Sequence, residues 1–551
     1  MLAGGTAAPG TRAGRVPALR ARSRVAAWAL DGYRLGVAAI TASTGLFLLL
    51  RLTAWPPHED ETLVFFVSRQ SLGDLLDTVL GDRGGAPLHF LLAHGVLAVD
   101  ESLTALRLLS GVFATASIPV IAALVARLVD RRTALLAALV SAASWMLLFH
   151  GVYGRMYGLF LFTSALSCLL LVRALERGSA GRWIAWVAAS LALAAAQPYG
   201  VLALAAQALW VGAVRLRRPF PVRGPLVAFG AVLLLGVPLW RTYLHLASRF
   251  DAGVGESAGS GLRSPTDVLA YHWRVLEDFT AGWLFVAVPA ALVAAVGVAV
   301  LARRRPEAAL FVGAIAVVPT VALLVSRSGT GLFLETRHLI FALPFFAAAL
   351  AAGLLEISRR AGRAGFPLLA AIVAGLVAAQ IAWGWSTTPW LYAGEPQVRE
   401  DARSDAAAWL ASTAQADDIL FGYEPTYLDA WGEGAPYGRL FVPRADAALA
   451  LEALREEGEP LGRGVWVLDA SDELDARRER LHVPEMTPGP GFEARAFGPF
   501  LVLRTDGPVG DAETFLNETV RVERMAQDLE IGDAWVNRST AEEALALLRR
   551  G

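Results

Sequence analysis

The sequence predicts a polytopic α-helical membrane protein of about eleven transmembrane helices, followed by an α/β domain outside the membrane. Three observations predict it. Of the 551 residues, 55% are hydrophobic and 18% charged, against roughly 45–50% and 25% in soluble chains. Apolar stretches near the roughly 20 residues that a bilayer span needs recur through the first two-thirds of the chain. Charge then divides the chain: residues 1–385 carry 33 Arg and 19 Asp plus Glu, a net of +14, and residues 386–551 carry 16 Arg and 31 Asp plus Glu, a net of −15. These sum to the overall −1.

Residues 1–34 form an Arg-rich N-terminus, read as cytoplasmic, with Arg12, Arg15, Arg20, Arg22, Arg24 and Arg34. Spans are expected at 35–53, 105–126, 133–150, 157–173, 183–197, 199–214, 225–243, 283–302, 307–326, 338–357 and 367–385. The first is long for a signal-peptide core and no small-residue cleavage site follows, so it reads as retained. Short cytoplasmic loops keep positive charge. Here every second connection is basic: Arg127, Arg131 and Arg132; Arg173, Arg177 and Arg182; Arg215, Arg217, Arg218 and Arg223; Arg303, Arg304 and Arg305; Arg359, Arg360 and Arg363. That alternation puts 22 of the 33 Arg inside, and an odd span count puts the acidic C-terminal region outside.

After Trp385, Pro389, Gly394 and Pro396 mark a linker into the domain 386–551. An amphipathic helix is expected at 399–415 and further helices at 446–457, 511–530 and 540–550. Apolar runs at Ile419–Tyr423, Gly464–Leu468 and Phe497–Leu503, bounded by turn residues or charges, read as strands. A single cysteine, Cys168, excludes an internal disulfide and a multi-Cys metal centre. All 49 basic residues are Arg.

The longest polar insertions face outside, at 54–104 and 244–282. The first opens Trp55-Pro56-Pro57-His58-Glu59-Asp60-Glu61. Pro56 and Pro57 hold the chain extended, so three carboxylates are presented close to the bilayer surface. A solvated interface cap would carry the same pattern. Two amphipathic stretches follow, Ser71–Leu80 and Ala86–Val99, of the kind that lie in the interface plane. Other outer ends deliver His150-Gly151-Val152-Tyr153-Gly154-Arg155-Met156-Tyr157 and Glu335-Thr336-Arg337-His338. Carboxylates and two Arg groups at one membrane surface suit an anionic lipid-linked substrate, because guanidinium donates bidentate hydrogen bonds to phosphate. An interface anchor that snorkels to headgroups is the plainer reading of either Arg, and an aromatic belt that of Tyr153 and Tyr157.

Taken in order, these motifs resemble the GT-C superfamily of integral-membrane glycosyltransferases, in the branch of protein O-mannosyltransferases and bacterial aminoarabinose transferases (glycosyltransferase family 39-like). The matching elements are Asp60-Glu61 and Ala86-Pro87-Leu88-His89-Phe90. Arg107-Leu108-Leu109-Ser110, Arg155-Met156-Tyr157 and Arg337-His338-Leu339 with Pro344 match further on. The C-terminal region resembles the extracytoplasmic tails of bacterial relatives through Arg399-Glu400-Asp401, Trp409-Leu410 and Asp417-Asp418-Ile419-Leu420. Three departures stand out: Gly154 where many relatives place Glu, His338 for Tyr, and Gly85-Ala86 before Pro87 where a second Pro is common.

The resemblance implies transfer of a sugar from a polyprenyl-phosphate carrier to a lipid, glycan or protein acceptor on the outer face of the plasma membrane. No nucleotide-binding fingerprint appears, and no nucleic-acid partner is expected. An acceptor hydroxyl needs a base. Asp60 is the candidate, inverting the anomeric carbon in one displacement, with Glu61 and Glu59 as alternatives or orienting groups. Arg155 and Arg337 are the candidates for the donor phosphate, with Tyr157, His338 and His89 beside them. His58, His89, His94 and His150 leave a divalent-metal site open, although their spacing matches no zinc signature. Donor binding is expected to belong to residues 1–385, and acceptor binding to be shaped by the acidic domain. The competing reading is a transporter or flippase for a lipid-linked or anionic solute. Transporters bind near the bilayer midplane, whereas ionisable groups here collect at the outer surface.

Overall fold

The computed structural model describes residues 16–82, 85–249, 264–326, 335–437, 441–444, 446–470, 482–531 and 534–550, with side chains from Gly32 onward except at 82, 247–249 and 326. Arg12 and Arg15, the side chains of Arg20, Arg22 and Arg24, and residues 250–263 of the second long loop lie outside the described residues.

Helix α1 (Val16–Arg51) leads into three short helices, α2 (Glu59–Ser68), α3 (Leu72–Asp77) and α4 (Pro87–Leu97), before α5 (Leu103–Leu128). The next span is broken. α6 (Arg131–Ala143) and α7 (Trp145–Val152) meet at Ser144 with a bend of 55°. The break leaves the Trp145 amide without a helical acceptor, and it donates to Gln380 Oε1 at 3.1 Å instead. Then follow α8 (Tyr157–Arg177), α9 (Ala180–Ala196), α10 (Gly200–Arg217), and α11 (Arg223–Leu235) bent by 57° into α12 (Val237–Arg249). Pro238, which has no N–H to give, sits at that second bend. α13 (Pro265–Thr280) lies beyond it, followed by α14 (Leu284–Arg304), α15 (Pro306–Ser326), α16 (Leu343–Arg360) and α17 (Gly365–Thr387). α14 and α16 cross at Gly297 and Gly353, where a Cβ on either would overlap a carbonyl of the other helix.

Ion pairs mark one end of the bundle: Arg127–Glu176 at 2.6 Å, Arg218–Glu307 at 2.7 Å and Arg304–Glu356 at 2.9 Å. The candidate site gathers at the other end. Among the described residues, eight helices suit a membrane span by length and composition, or ten if each bent pair is one. The eleventh expected span is α9, whose 17 residues reach about 26 Å at about 1.5 Å per residue, short of a hydrocarbon core of about 30 Å. The chain nevertheless enters α9 at the ion-paired end, and just beyond it Tyr199 stacks on His338 at the site end, ring centroids 4.3 Å apart. α9 therefore runs from the ion-paired end of the bundle to the site end.

The C-terminal region folds as α18 (Pro389–Ala393), α19 (Gln397–Thr413), β1 (Ile419–Phe421), α20 (Pro425–Gly432), β2 (Phe441–Val442), α21 (Ala447–Glu457), β3 (Gly464–Asp469), β4 (Phe492–Phe497), β5 (Phe500–Thr505), α22 (Ala512–Asp528) and α23 (Ala534–Arg550). The sheet order is β2-β1-β3-β5-β4, parallel on the β1 side and antiparallel from β3 outward. Alternation along the strands splits its faces. Trp466, Leu468, Leu501 and Leu503 pack under α21–α23. Leu420, Val465, Val467 and Val502 join a second core with α19 and α20. That core also takes in Phe65, Phe66 and Leu97 of the first long loop, so the domain is bound to the helix bearing the carboxylates.

Candidate active site

The extended Pro56-Pro57 segment does not carry the carboxylates out into water. They form the first turn of α2, where a helix N-terminus favours negative charge. His58 caps it: Nδ1 accepts from the Asp60 amide at 3.1 Å, and the Glu61 carboxylate accepts from the His58 amide at 3.2 Å. Successive helical residues point about 100° apart, so Glu59, Asp60 and Glu61 face three different sets of partners.

Glu61 is sealed. Arg107 donates to it bidentately, from Nε at 2.8 Å and Nη2 at 2.6 Å, and the Gly154 amide adds a third bond at 2.6 Å. The same guanidinium donates to the carbonyls of Leu52, Trp55 and Pro56 at 2.9, 2.6 and 2.9 Å. Glu61 is 0% and Arg107 3% exposed, so this carboxylate cannot meet an acceptor hydroxyl; it ties the end of α1 to α2 and α5. The departure at Gly154 follows locally, because a Cβ there would stand 3.0 Å from Glu61 Oε1 and 3.2 Å from Leu106.

Asp60 keeps 26% of its side chain exposed. Tyr153 Oη donates to its Oδ2 at 2.9 Å, Arg155 Nη2 stands 3.5 Å from Oδ1, and Arg337 Nη2 stands 3.7 Å from Oδ2. Burial opposes the charge on Asp60, but Arg155, Arg337, His58 and the Tyr153 hydrogen bond outweigh it and hold the carboxyl well below the usual carboxylate range. Burial, then the Asp60 charge, pushes the Tyr153 phenol well up, so it remains a donor.

Arg155, in the turn before α8, also reaches the Asp60 carbonyl from Nη1 at 3.3 Å. Arg337 opens the 3₁₀ turn Thr336–Ala342 ahead of α16 and lies 5.2 Å over the Tyr157 ring. Tyr157 thus supports a guanidinium as a cation–π platform. The Nε atoms of both arginines are buried without a hydrogen-bond partner, two N–H donors at one place with nothing to receive them. His338 stacks on Tyr199 and accepts from the Glu335 amide through Nδ1 at 3.2 Å. His89 is buried on α4, its imidazole pushed down to about 3 by burial and then by Arg155. It is neutral at physiological pH.

Glu59 points away from all of these. It accepts from the Tyr423 amide, between β1 and α20, at 3.0 Å, and its Oε2 lies 3.7 Å from Arg444 Nη1. Arg444 in turn pairs with buried Glu424, whose carboxyl burial pushes up to about 7 against the pull of Arg444. Among the described residues, no group of three or more His, Cys, Asp or Glu side chains is placed to hold a metal ion.

The sequence reading gave Arg107 and Arg444 no role. A basic residue opening an apolar helix is a signal for the first, since an ion there is paired or costly. Nothing local marks the second, which lies 385 residues after Glu59.

Residues 84–240 match the family model of dolichyl-phosphate-mannose-protein mannosyltransferases. No curated protein sequence matches the chain. Among solved structures, ArnT from Cupriavidus metallidurans in its apo state is similar at a TM-score of 0.52 and 13% identity, over 86% of this chain and 98% of that one. ArnT from the same organism bound to undecaprenyl phosphate gives the same TM-score and identity over 85% and 97%. An oligosaccharyltransferase from Archaeoglobus fulgidus, in complex with Zn and sulfate, gives 0.49 and 12% identity over 78% of this chain and 67% of that one. Residues 84–240 thus carry the pattern of dolichyl-phosphate-mannose-protein mannosyltransferases, and the chain shares its fold with ArnT from Cupriavidus metallidurans.

Proposed function

We propose that the protein moves a sugar from a polyprenyl-phosphate carrier to an acceptor hydroxyl at the outer face of the plasma membrane, with Asp60 as general base. The observation that carries this reading is the pairing of an ionised, partly exposed carboxylate with two guanidiniums that hold unpartnered Nε–H donors. The solved structure of ArnT with undecaprenyl phosphate, similar in fold, supports a phosphate carrier.

In this mechanism the acceptor O–H gives its proton to Asp60 while its oxygen attacks the anomeric carbon. The bond from that carbon to the carrier phosphate breaks, and inversion follows from the single displacement. Arg155 and Arg337 take up the charge on the departing phosphate, as fixed cations do for developing anions. Tyr153 orients Asp60, and Glu61 with Arg107 holds the turn on which Asp60 stands. The transporter reading loses ground because these groups sit at one end of the bundle and not midway along it.

In a strain lacking the protein, the unused lipid-linked sugar should accumulate and an envelope glycan should lose that sugar, both read by mass analysis. Wild type should restore the glycan and Asp60→Asn should not, at equal abundance in the membrane. Loss of a positioned base costs on the order of 10²–10⁴-fold, so near-normal turnover by Asp60→Asn would refute Asp60 as base. For the orientation, alkaline phosphatase fused after residue 400 should be active and a fusion near Arg304 inactive; the opposite pattern would invert the topology.

A further inference from the structure

The first turn of α2 is held from two directions. On one side Glu61 is locked by Arg107 and the Gly154 amide. On the other, Glu59 is taken by the Tyr423 amide at 3.0 Å and by Arg444 at 3.7 Å, both from the C-terminal domain. Asp60 lies between them in sequence. Because helical residues turn by about 100° each, one fixed neighbour leaves the turn free to rock about that anchor, and two fixed neighbours on different sides set its rotation.

We infer that Arg444 and the Tyr423 amide are positioning groups for Asp60, so that the C-terminal domain completes the active site by holding Glu59. The inference rests on the reading of Asp60 as the base. Arg444 is built for this task. Its guanidinium is backed by buried Glu424, with Glu523 and Tyr427 also among the charged and titratable groups around it. Gly422 lies directly beneath it, with a positive φ of 79° and a Cβ position that the Arg444 Nε already occupies. A side chain at 422 would be strained and would displace the guanidinium. Around the clasp, Phe66 of α2 packs on Phe441 at 4.4 Å between ring centroids, and Phe65 on Trp431 at 5.7 Å. These contacts bring the two parts together; the Glu59 pairing fixes the rotation.

The test uses the full-length protein with Arg444→Ala, Arg444→Lys, Glu59→Gln and the Glu59→Gln/Arg444→Ala double variant. Transfer is followed with the lipid-linked sugar that accumulates in the deletion strain, and carrier binding with undecaprenyl phosphate. A displacement of about 1 Å at a reacting group can cost about 10²-fold. We expect Arg444→Ala and Glu59→Gln each to lower kcat roughly 10- to 100-fold, with undecaprenyl phosphate bound at least as tightly as by the wild type and KM not raised. The double variant should be no slower than the slower single one, as partners in one interaction behave, and Arg444→Lys should recover part of the loss. Gly422→Ala, which leaves every charge in place, should follow Arg444→Ala. Wild-type kcat in Arg444→Ala, or losses that multiply in the double variant, would overturn the clasp while Asp60→Asn stays inactive. An active Asp60→Asn would instead overturn the base assignment on which the clasp rests.

Discussion

Replacing Asp60 with Asn should abolish transfer and at the same time tighten binding of the carrier phosphate. Both guanidiniums assigned to that phosphate are engaged by Asp60, at 3.5 and 3.7 Å, so an incoming phosphate must compete with a carboxylate that already holds them. Unit charges about 4 Å apart attract by about 1 kcal/mol in bulk water and about 4 kcal/mol at an effective dielectric of 20. With 26% of its side chain exposed, Asp60 lies between those limits. The lower figure for both pairs gives about 2 kcal/mol, roughly 30-fold in dissociation constant. The amide of Asn can still accept from Tyr153, so the change removes charge with little change of shape. Undecaprenyl phosphate titrated against the detergent-solubilised protein, followed by tryptophan fluorescence, measures the effect directly. Higher salt should narrow the difference between the proteins. Equal affinities would show that Asp60 and the phosphate do not share the arginines. Weaker binding by Asp60→Asn would show that the carboxylate organises the arginines instead of competing for them.

Glu61→Gln should fail for a different reason: it leaves Arg107 buried beside a neutral group, and breaking such a pair typically costs about 3–5 kcal/mol. Thermal unfolding should show a large loss of stability, absent in Asp60→Asn; an unchanged unfolding temperature would refute the structural role of Glu61. For pH, Asp60 is held below its ordinary range, so it stays ionised through mildly acidic conditions in the free protein. The stability from its ion pairs is then present above the unfolded value and lost as pH falls through the lower folded one. The acidic limb of kcat/KM should lie below the usual carboxylate range and move upward in Arg337→Gln. A limb that is unmoved by that change would mean another group sets it.

The fold was legible because both of its signals are long. Eleven apolar stretches with basic connections on alternate sides survive errors in any one boundary, and even α9, too short to qualify by length, was marked by Arg182 in its first turn and the polar Gln197-Pro198 after it. The site was legible only in part. Asp60, Arg155 and Arg337 each sit in a polar segment next to an apolar helix, and the fold brings those segments to one end. What sequence could not supply was the division of labour among three adjacent carboxylates. Side by side in the sequence, Glu59, Asp60 and Glu61 look interchangeable. Helical rotation separates them, and only the tertiary partners say that Glu61 meets a buried Arg and Glu59 a domain hundreds of residues away. The α2 helix itself was missed because Pro56 and Pro57 read as extended chain, and neither is helical; the helix starts two residues later, after the His58 cap. Strand β4 was missed because Glu493 and Arg495 alternate with its apolar positions, the pattern of an edge strand with one wet face.

Removing residues 386–551 should therefore do more than weaken acceptor use, the outcome expected from charge alone. The domain's net of −15 suggests a body kept apart from an anionic carrier, but its contact with α2 is made by Phe441, Trp431, the Tyr423 amide and the cation Arg444. Truncation after Trp385 uncovers Phe65 and Phe66, which are 1% and 7% exposed in the intact chain. Exposing a buried Phe side chain costs about 1.5–3 kcal/mol, so the two together are comparable to the whole stability of a short outer helix. Arg155 and Arg337 are held from the bundle, by the turn before α8 and the 3₁₀ turn before α16, and should keep their places. Hydrogen exchange on the truncated protein in lipid nanodiscs should show α2 losing protection while α8 and α16 retain theirs. Undecaprenyl phosphate should still bind, at least as tightly as to the intact protein, because a loosened Asp60 competes less for the two arginines. Sugar transfer should fall with the loss of a fixed base. If α2 keeps its native protection without the C-terminal domain, the anchoring of Asp60 is complete within residues 1–385 and the domain's part in positioning it is refuted.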